Sequence, residues 1–92
     1  MSVTIRYWAA ARAAAGRAEE AYAEPRTLAD LVRIAGDGNP KLAAVLSVCS
    51  FVVGEQPVGT RAHDEVVLVA GDVVEALPPF AGGSAAAPGS AT

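Results

Sequence analysis

Ninety-two residues with a net charge of −3 and 52% apolar side chains, many of them alanine, make one small domain with a modest core. The chain has no basic patch to displace counterions from phosphate and no long apolar run, which predicts neither a nucleic-acid partner nor a membrane span. If charge guides binding, the overall balance favours a basic docking surface on the partner. MSVTIRYW enters a strand pattern with no basic n-region, apolar core or small-residue cleavage site, which predicts a cytoplasmic protein. Cys49, the single cysteine, has no partner for an internal disulfide.

Val3, Ile5 and Tyr7 alternate with Thr4, Arg6 and Trp8, a period-two pattern rich in β-branched and aromatic residues, and predict the first strand. The alanine-rich AAARAAA that follows is a strong helix former, with Gly16 placed to stop it. Residues 19–23 read as a second strand pairing back on the first. Thr27 can cap a second helix, with Asp30 completing a box-like arrangement. Leu28, Leu31, Val32 and Ala35 fall on one face of it before Gly36 ends it. Asn39 and Pro40 start a shorter helix with Leu42, Val45 and Leu46 on its apolar side. Residues 48–53 read as a buried strand and residues 66–69 as a short strand. Ala70, Gly71 and Asp72 read as a turn into a last strand, residues 73–77.

This order is α+β. A mixed sheet with a crossover helix and additional short helices would give a ubiquitin-like β-grasp, one of several small α+β folds compatible with the pattern. The end of the chain, LPPFAGGSAAAPGSAT, narrows the choice. Pro78 and Pro79 cannot continue a ladder and carry the following residues away from the sheet as a stiff arm. Gly82 and Gly83 lack Cβ atoms, so this part of the arm can thread a channel too narrow for side chains. The sequence divides into a domain over residues 1–83, which includes the Pro-Pro-x-x-Gly-Gly arm, and an extension over residues 84–92 whose composition predicts no fixed structure.

RYWAAARAAAG (residues 6–16), TLADLV (27–32), CSFVV (49–53) and AGDVVEALPPFAGG (70–83), in that order, resemble the MoaD/ThiS family of ubiquitin-like sulfur carriers. Within it they resemble MoaD, the small subunit of molybdopterin synthase. The resemblance implies a non-catalytic carrier subunit that binds no cofactor. In that family an E1-like, MoeB-like adenylyltransferase spends ATP to adenylate the terminal glycine, and sulfur then replaces AMP to give a thiocarboxylate. The arm next enters a MoaE-like large subunit, where sulfur passes to precursor Z during molybdenum cofactor biosynthesis. On this reading Gly83 is the acyl carrier. Gly82, Ala81 and Phe80 are the part of the tail that occupies the partner's channel, and Leu77, Trp8, Arg12 and Val58 contact partners.

The sequence departs from the family at residues 84–92. With Ser84 attached, Gly83 carries an amide in place of the carboxylate that ATP must meet, so the carrier reading requires removal of the extension. Two alternatives stay open: a sulfur carrier for thiamin or cysteine synthesis, and a ubiquitin-like interaction module with a blocked tail. Elsewhere the residues read without chemistry. His63 lies in a polar loop with no second ligand at metal spacing, Cys49 reads as a small core residue of the buried strand, and Glu19-Glu20 and Asp64-Glu65 read as solvated pairs.

Overall fold

The structure, a computed structural model, describes residues 2–23 and 25–79. β1 (Val3–Tyr7) leads into α1 (Ala9–Ala15), and β2 (Glu19–Tyr22) then returns antiparallel to β1 with Val3 opposite Tyr22 and Arg6 opposite Glu19. Gly16 closes α1 in the left-handed conformation, φ 77°, and donates its N–H to the Arg12 carbonyl at 2.9 Å.

α2 (Leu28–Gly36) starts at a complete capping box. The Thr27 hydroxyl accepts the Asp30 N–H at 3.2 Å, while the Asp30 carboxylate accepts the Thr27 N–H at 3.3 Å. Leu28, Leu31 and Ala35 are buried, as the periodicity predicts. Gly36 is the last helical residue, but it does not stop the helix through a left-handed turn. That conformation falls to Gly38, φ 74°. The space beside Gly36 is what requires glycine, because a Cβ there would lie 3.0 Å from the Ala43 Cβ. α3 (Pro40–Leu46) can therefore approach α2 closely, with Asn39 as its N-cap and Leu42 and Leu46 buried.

β3 (Ser50–Val53) and the two-residue β4 (Gln56–Pro57) pair antiparallel, and β5 (Val73–Leu77) enters between β1 and β3. The five-stranded order β2-β1-β5-β3-β4 places β5 at the centre, parallel to β1 and antiparallel to β3. Ile5, Tyr7, Phe51, Val74 and Ala76 point from the sheet toward the helices and join Leu28, Leu31, Leu42 and Leu46 in one core. The opposite face, carrying Thr4, Arg6, Glu75, Leu77, Ser50 and Val52, has no such cover.

Four expectations need correction. Residues 66–69 form no strand: Val67 makes a single bridge to Thr27, while Val66 and Leu68 drop into the core and Val67 and Val69 stay exposed. Residues 48–53 are a strand only from Ser50 onward, and Val48 is 62% exposed. Cys49 therefore precedes β3. It is half-buried against the core, its thiol donates to the Val45 carbonyl at 3.3 Å, and burial pushes its pKa up to about 11. Val58 is buried at 3% exposure, with its N–H donated to the Phe51 carbonyl, so it supports the core and presents nothing to a partner. Finally, His63 opens a 3-10 turn and sets its ring edge-on to Phe51, 5.2 Å between centroids, so it packs where a solvated loop residue was expected.

Candidate functional site

The site is the end of the sheet from which the arm departs. The parallel β1–β5 register pairs Tyr7 with Ala76, and Trp8 extends it by one step, donating its N–H to the Ala76 carbonyl at 3.3 Å. Beyond that point the ladder stops for a covalent reason, because Pro78 and Pro79 have no N–H to give. Pro78 is buried and Pro79 exposed, so the chain leaves the domain between these two residues. Phe80, Ala81, Gly82 and Gly83, which the sequence marks as the working end, and the 84–92 extension lie outside the described residues.

Trp8 stands at the base of the arm. Its backbone is extended, φ −121° and ψ 150°, so its side chain follows Thr4 and Arg6 onto the uncovered face, alongside Leu77. Trp8 is 43% exposed and Leu77 half-buried. At that exposure the indole is not sealed beneath α1. Ala9 makes the turn from strand to helix at φ 50°, the one non-glycine residue with positive φ among those described, and that conformation costs on the order of 1 kcal/mol. Val48 joins the same end of the sheet, since Ser50, two residues on, pairs with Leu77. Sequence reasoning missed it because an apolar run of strand length reads as uniformly buried, and only the tertiary pairing reveals where the strand starts.

The remaining candidates separate. Arg12 lies on α1, exposed, and lines a groove with Arg17. Glu19 and Glu20 point to opposite faces and form no acid pair. Glu19 meets Arg6 at 3.5 Å on the open face. Glu20, on the covered face, accepts the Tyr7 hydroxyl at 2.7 Å, the Tyr22 hydroxyl at 3.0 Å and Arg17 at 2.9 Å. Burial, reinforced by the Glu20 carboxylate, holds the Tyr7 phenol neutral well above its ordinary range and also raises that of Tyr22. Both Glu20 oxygens and both phenol hydroxyls are engaged in this network, which is the mark of a structural clasp between β1, β2 and the end of α1. Among the described residues no three His, Cys, Asp or Glu side chains gather as metal ligands, and no helix is long and apolar enough to cross a membrane.

A mixed sheet with β5 central, a capped crossover helix on one face and an arm leaving the last strand defines a ubiquitin-like β-grasp of the sulfur-carrier type. The sequence model of the ThiS family matches residues 5–83, and the chain belongs to that family. No curated protein sequence matches. Among solved structures, the small archaeal modifier protein 1 of Methanosarcina acetivorans superposes with a TM-score of 0.77 at 21% identity, covering 89% of this chain and 96% of that one. A putative molybdopterin converting factor subunit 1 from Pyrococcus furiosus gives 0.71 at 22% identity, covering 87% and 99%. The protein–protein complex of subunits 1 and 2 of molybdopterin-converting factor from Helicobacter pylori gives 0.65 at 23% identity, covering 90% and 100%. These likenesses concern the fold.

Proposed function

We propose that this protein is the small sulfur-carrier subunit of molybdopterin synthase, which delivers sulfur as a thiocarboxylate on Gly83 to precursor Z once residues 84–92 have been removed. The observation that carries the reading is the placement of β5. In a ThiS-family chain matched through Gly83, the central strand ends in two prolines at the uncovered edge of the domain, beside an exposed tryptophan.

The chemistry fits such an arm. A carboxylate is a poor acyl donor until it attacks the α-phosphorus of ATP and releases pyrophosphate. A sulfur nucleophile then displaces AMP, and a glycine acyl carbon presents no side chain against that attack. ATP belongs to the E1-like adenylyltransferase, and the carrier binds no cofactor of its own. The large partner is MoaE-like, a proposal supported by the H. pylori complex of subunits 1 and 2. Trp8 and Leu77 are the anchors for it, because large apolar side chains at the base of the arm are what an interface buries at its centre.

The test is intact mass. A chain ending at Gly83, incubated with an E1-like enzyme, ATP and a sulfur donor, gains the mass of one oxygen-to-sulfur exchange. The 92-residue chain stays unchanged unless it is cleaved between Gly83 and Ser84. Residues 84–92 favour one second reading, an interaction module with a blocked tail, and an inert Gly83-terminated chain would establish that reading in place of the carrier. Formation of molybdopterin with a MoaE-like subunit separates this acceptor from thiamin or cysteine synthesis.

A further inference from the structure

We propose that β2 pairs with β2 of a second copy of this chain, joining two domains into one continuous sheet. The alternation of the ladders leaves the outer side of β2 open. Thr4 and Trp8 send their N–H groups toward β5, to the carbonyls of Asp72 and Ala76, so Val3, Ile5 and Tyr7 turn theirs toward β2. Tyr7 accordingly donates to the Ala18 carbonyl at 2.8 Å, with Ile5 opposite Glu20 and Val3 opposite Tyr22. In an antiparallel ladder the residues between these, Glu19 and Ala21, point their N–H and C=O groups away from β1. Among the described residues nothing bonds to those outward groups. The far edge of the sheet is no equal to this one, because β4 has two residues and one of them is Pro57. Edges are ordinarily guarded by proline, a bulge or an unpaired charge. β2, with the sequence EEAY and an unbroken register, has none of the three, since Glu19 is matched by Arg6 and Glu20 by Arg17.

The strand is complementary to itself. With a two-fold axis at Ala21, each Ala21 exchanges both hydrogen bonds with its counterpart, and Glu20 of one copy faces Tyr22 of the other. Moving the axis to Glu20 sets two carboxylates face to face, which destabilises a cross-strand pair. Moving it to Tyr22 brings Glu19 opposite Pro25, which has no N–H to return. Ala21 and Ala23 are exposed and carry only methyl groups, so no bulky side chain holds two approaching backbones apart. The ion pairs to Arg6 and Arg17 leave the edge locally neutral on a chain whose net charge is −3. The axis stands perpendicular to the sheet, so the uncovered faces of both copies lie on one side and the two arms leave at opposite ends. Pairing therefore blocks neither arm. The inference is independent of the carrier reading, because it needs neither an activating enzyme nor a large subunit, and its failure would leave that reading intact.

A contact confined to one short edge is small beside the interface of a permanent dimer, so the association is weak and is read at high concentration. In sedimentation equilibrium the weight-average mass of the 92-residue chain is expected to rise about 1.5-fold between roughly 10 μM and 1 mM. Added salt is expected to strengthen the rise, because it screens the repulsion between two acidic copies. Ala21→Pro removes an N–H that only the second copy uses, and Ala21→Lys sets two ammonium groups together at the axis. Each is expected to hold the chain monomeric, and circular dichroism checks that each folds. Gln56→Lys, on β4, is expected to leave the rise unchanged. Concentration-dependent amide shifts are expected to centre on Glu19 and Ala21. A chain that stays monomeric to about 1 mM overturns the proposal. So does a rise that Ala21→Lys leaves unaltered, one that salt dissolves, or a set of shifts centred on Trp8 and Leu77. If Ala21→Pro fails to fold, the lysine variant and the amide shifts decide the matter alone.

Discussion

The two faces of the sheet are cut from the same strands and are opposite in character. On β5, Val74 and Ala76 are fully buried beneath the helices, while their neighbours Val73, Glu75 and Leu77 face the other way and keep part of their surface in water. On β1 the same alternation buries Ile5 and leaves Thr4 and Arg6 accessible. The covered face holds the domain together, and the uncovered one, continued by Trp8, is the face the proposed function assigns to the partner. If the carrier function proposed above holds, this division matters, because the strand that leads to the arm is held by residues not themselves used for recognition.

The sharpest way to break the comparison is one substitution on each side. Leu31→Ala, at a fully buried helix position, is expected to cost about 2–5 kcal/mol in denaturant unfolding, because the emptied volume cannot collapse against the sheet. Leu77→Asp on the open face is expected to stay within about 1 kcal/mol of the parent while abolishing the complex with the large subunit. Equal stability losses would show that the faces are not divided as described.

A smaller effect probes how closely the cover is built. Gly36→Val places side-chain atoms against Ala43 and is expected to destabilise by about 1–3 kcal/mol, with Ala43→Gly restoring much of the loss. Restoration by the second change, measured as coupling in a double-mutant cycle, separates close helix packing from a simple change in helix propensity.

The smallest effect lies at the start of α2. The Asp30 carboxyl is held below its ordinary value, first by the Arg26 N–H at 3.1 Å and then by the Thr27 N–H and Arg33. A depressed folded value means that its contribution is complete above the ordinary 3.8 and is lost as pH falls through the lower one. Asp30→Asn is therefore expected to flatten the acid limb of the unfolding midpoint below about pH 4, with little change in its slope near neutrality.

What the sequence disclosed follows from the range of the interactions involved. The capping box, the Gly16 stop and the Asn39–Pro40 start are settled within a few residues, and all three appear in the structure as read. Central placement of β5 was legible too, through the order of elements and the resemblance to the family. Residues 66–69 misled because an alternating apolar segment becomes a strand only if an edge is offered to it, and the fold offers one bridge. Val58 and Val48 exchanged expected roles for a similar reason: burial depends on what arrives from elsewhere in the chain, and Val58, tied by its N–H to the Phe51 carbonyl, ends in the core while Val48 stays 62% exposed. The exposure of Trp8 was legible from strand alternation, while Leu77 was singled out only through the resemblance to the family. Pairing of Arg12 with Arg17 was not legible, since it depends on how β2 returns beside α1.

The parallel adjacency of β1 and β5 has a mechanical consequence. Force applied along the arm is transmitted into β5 along its own axis, and on either side the strand is stitched to a neighbour by hydrogen bonds lying across the direction of pull. These bonds are loaded in shear and share the tension, so none can be peeled open ahead of the others as at a frayed hairpin. An arm drawn into a partner's channel can be tugged and released without unravelling the domain that carries it.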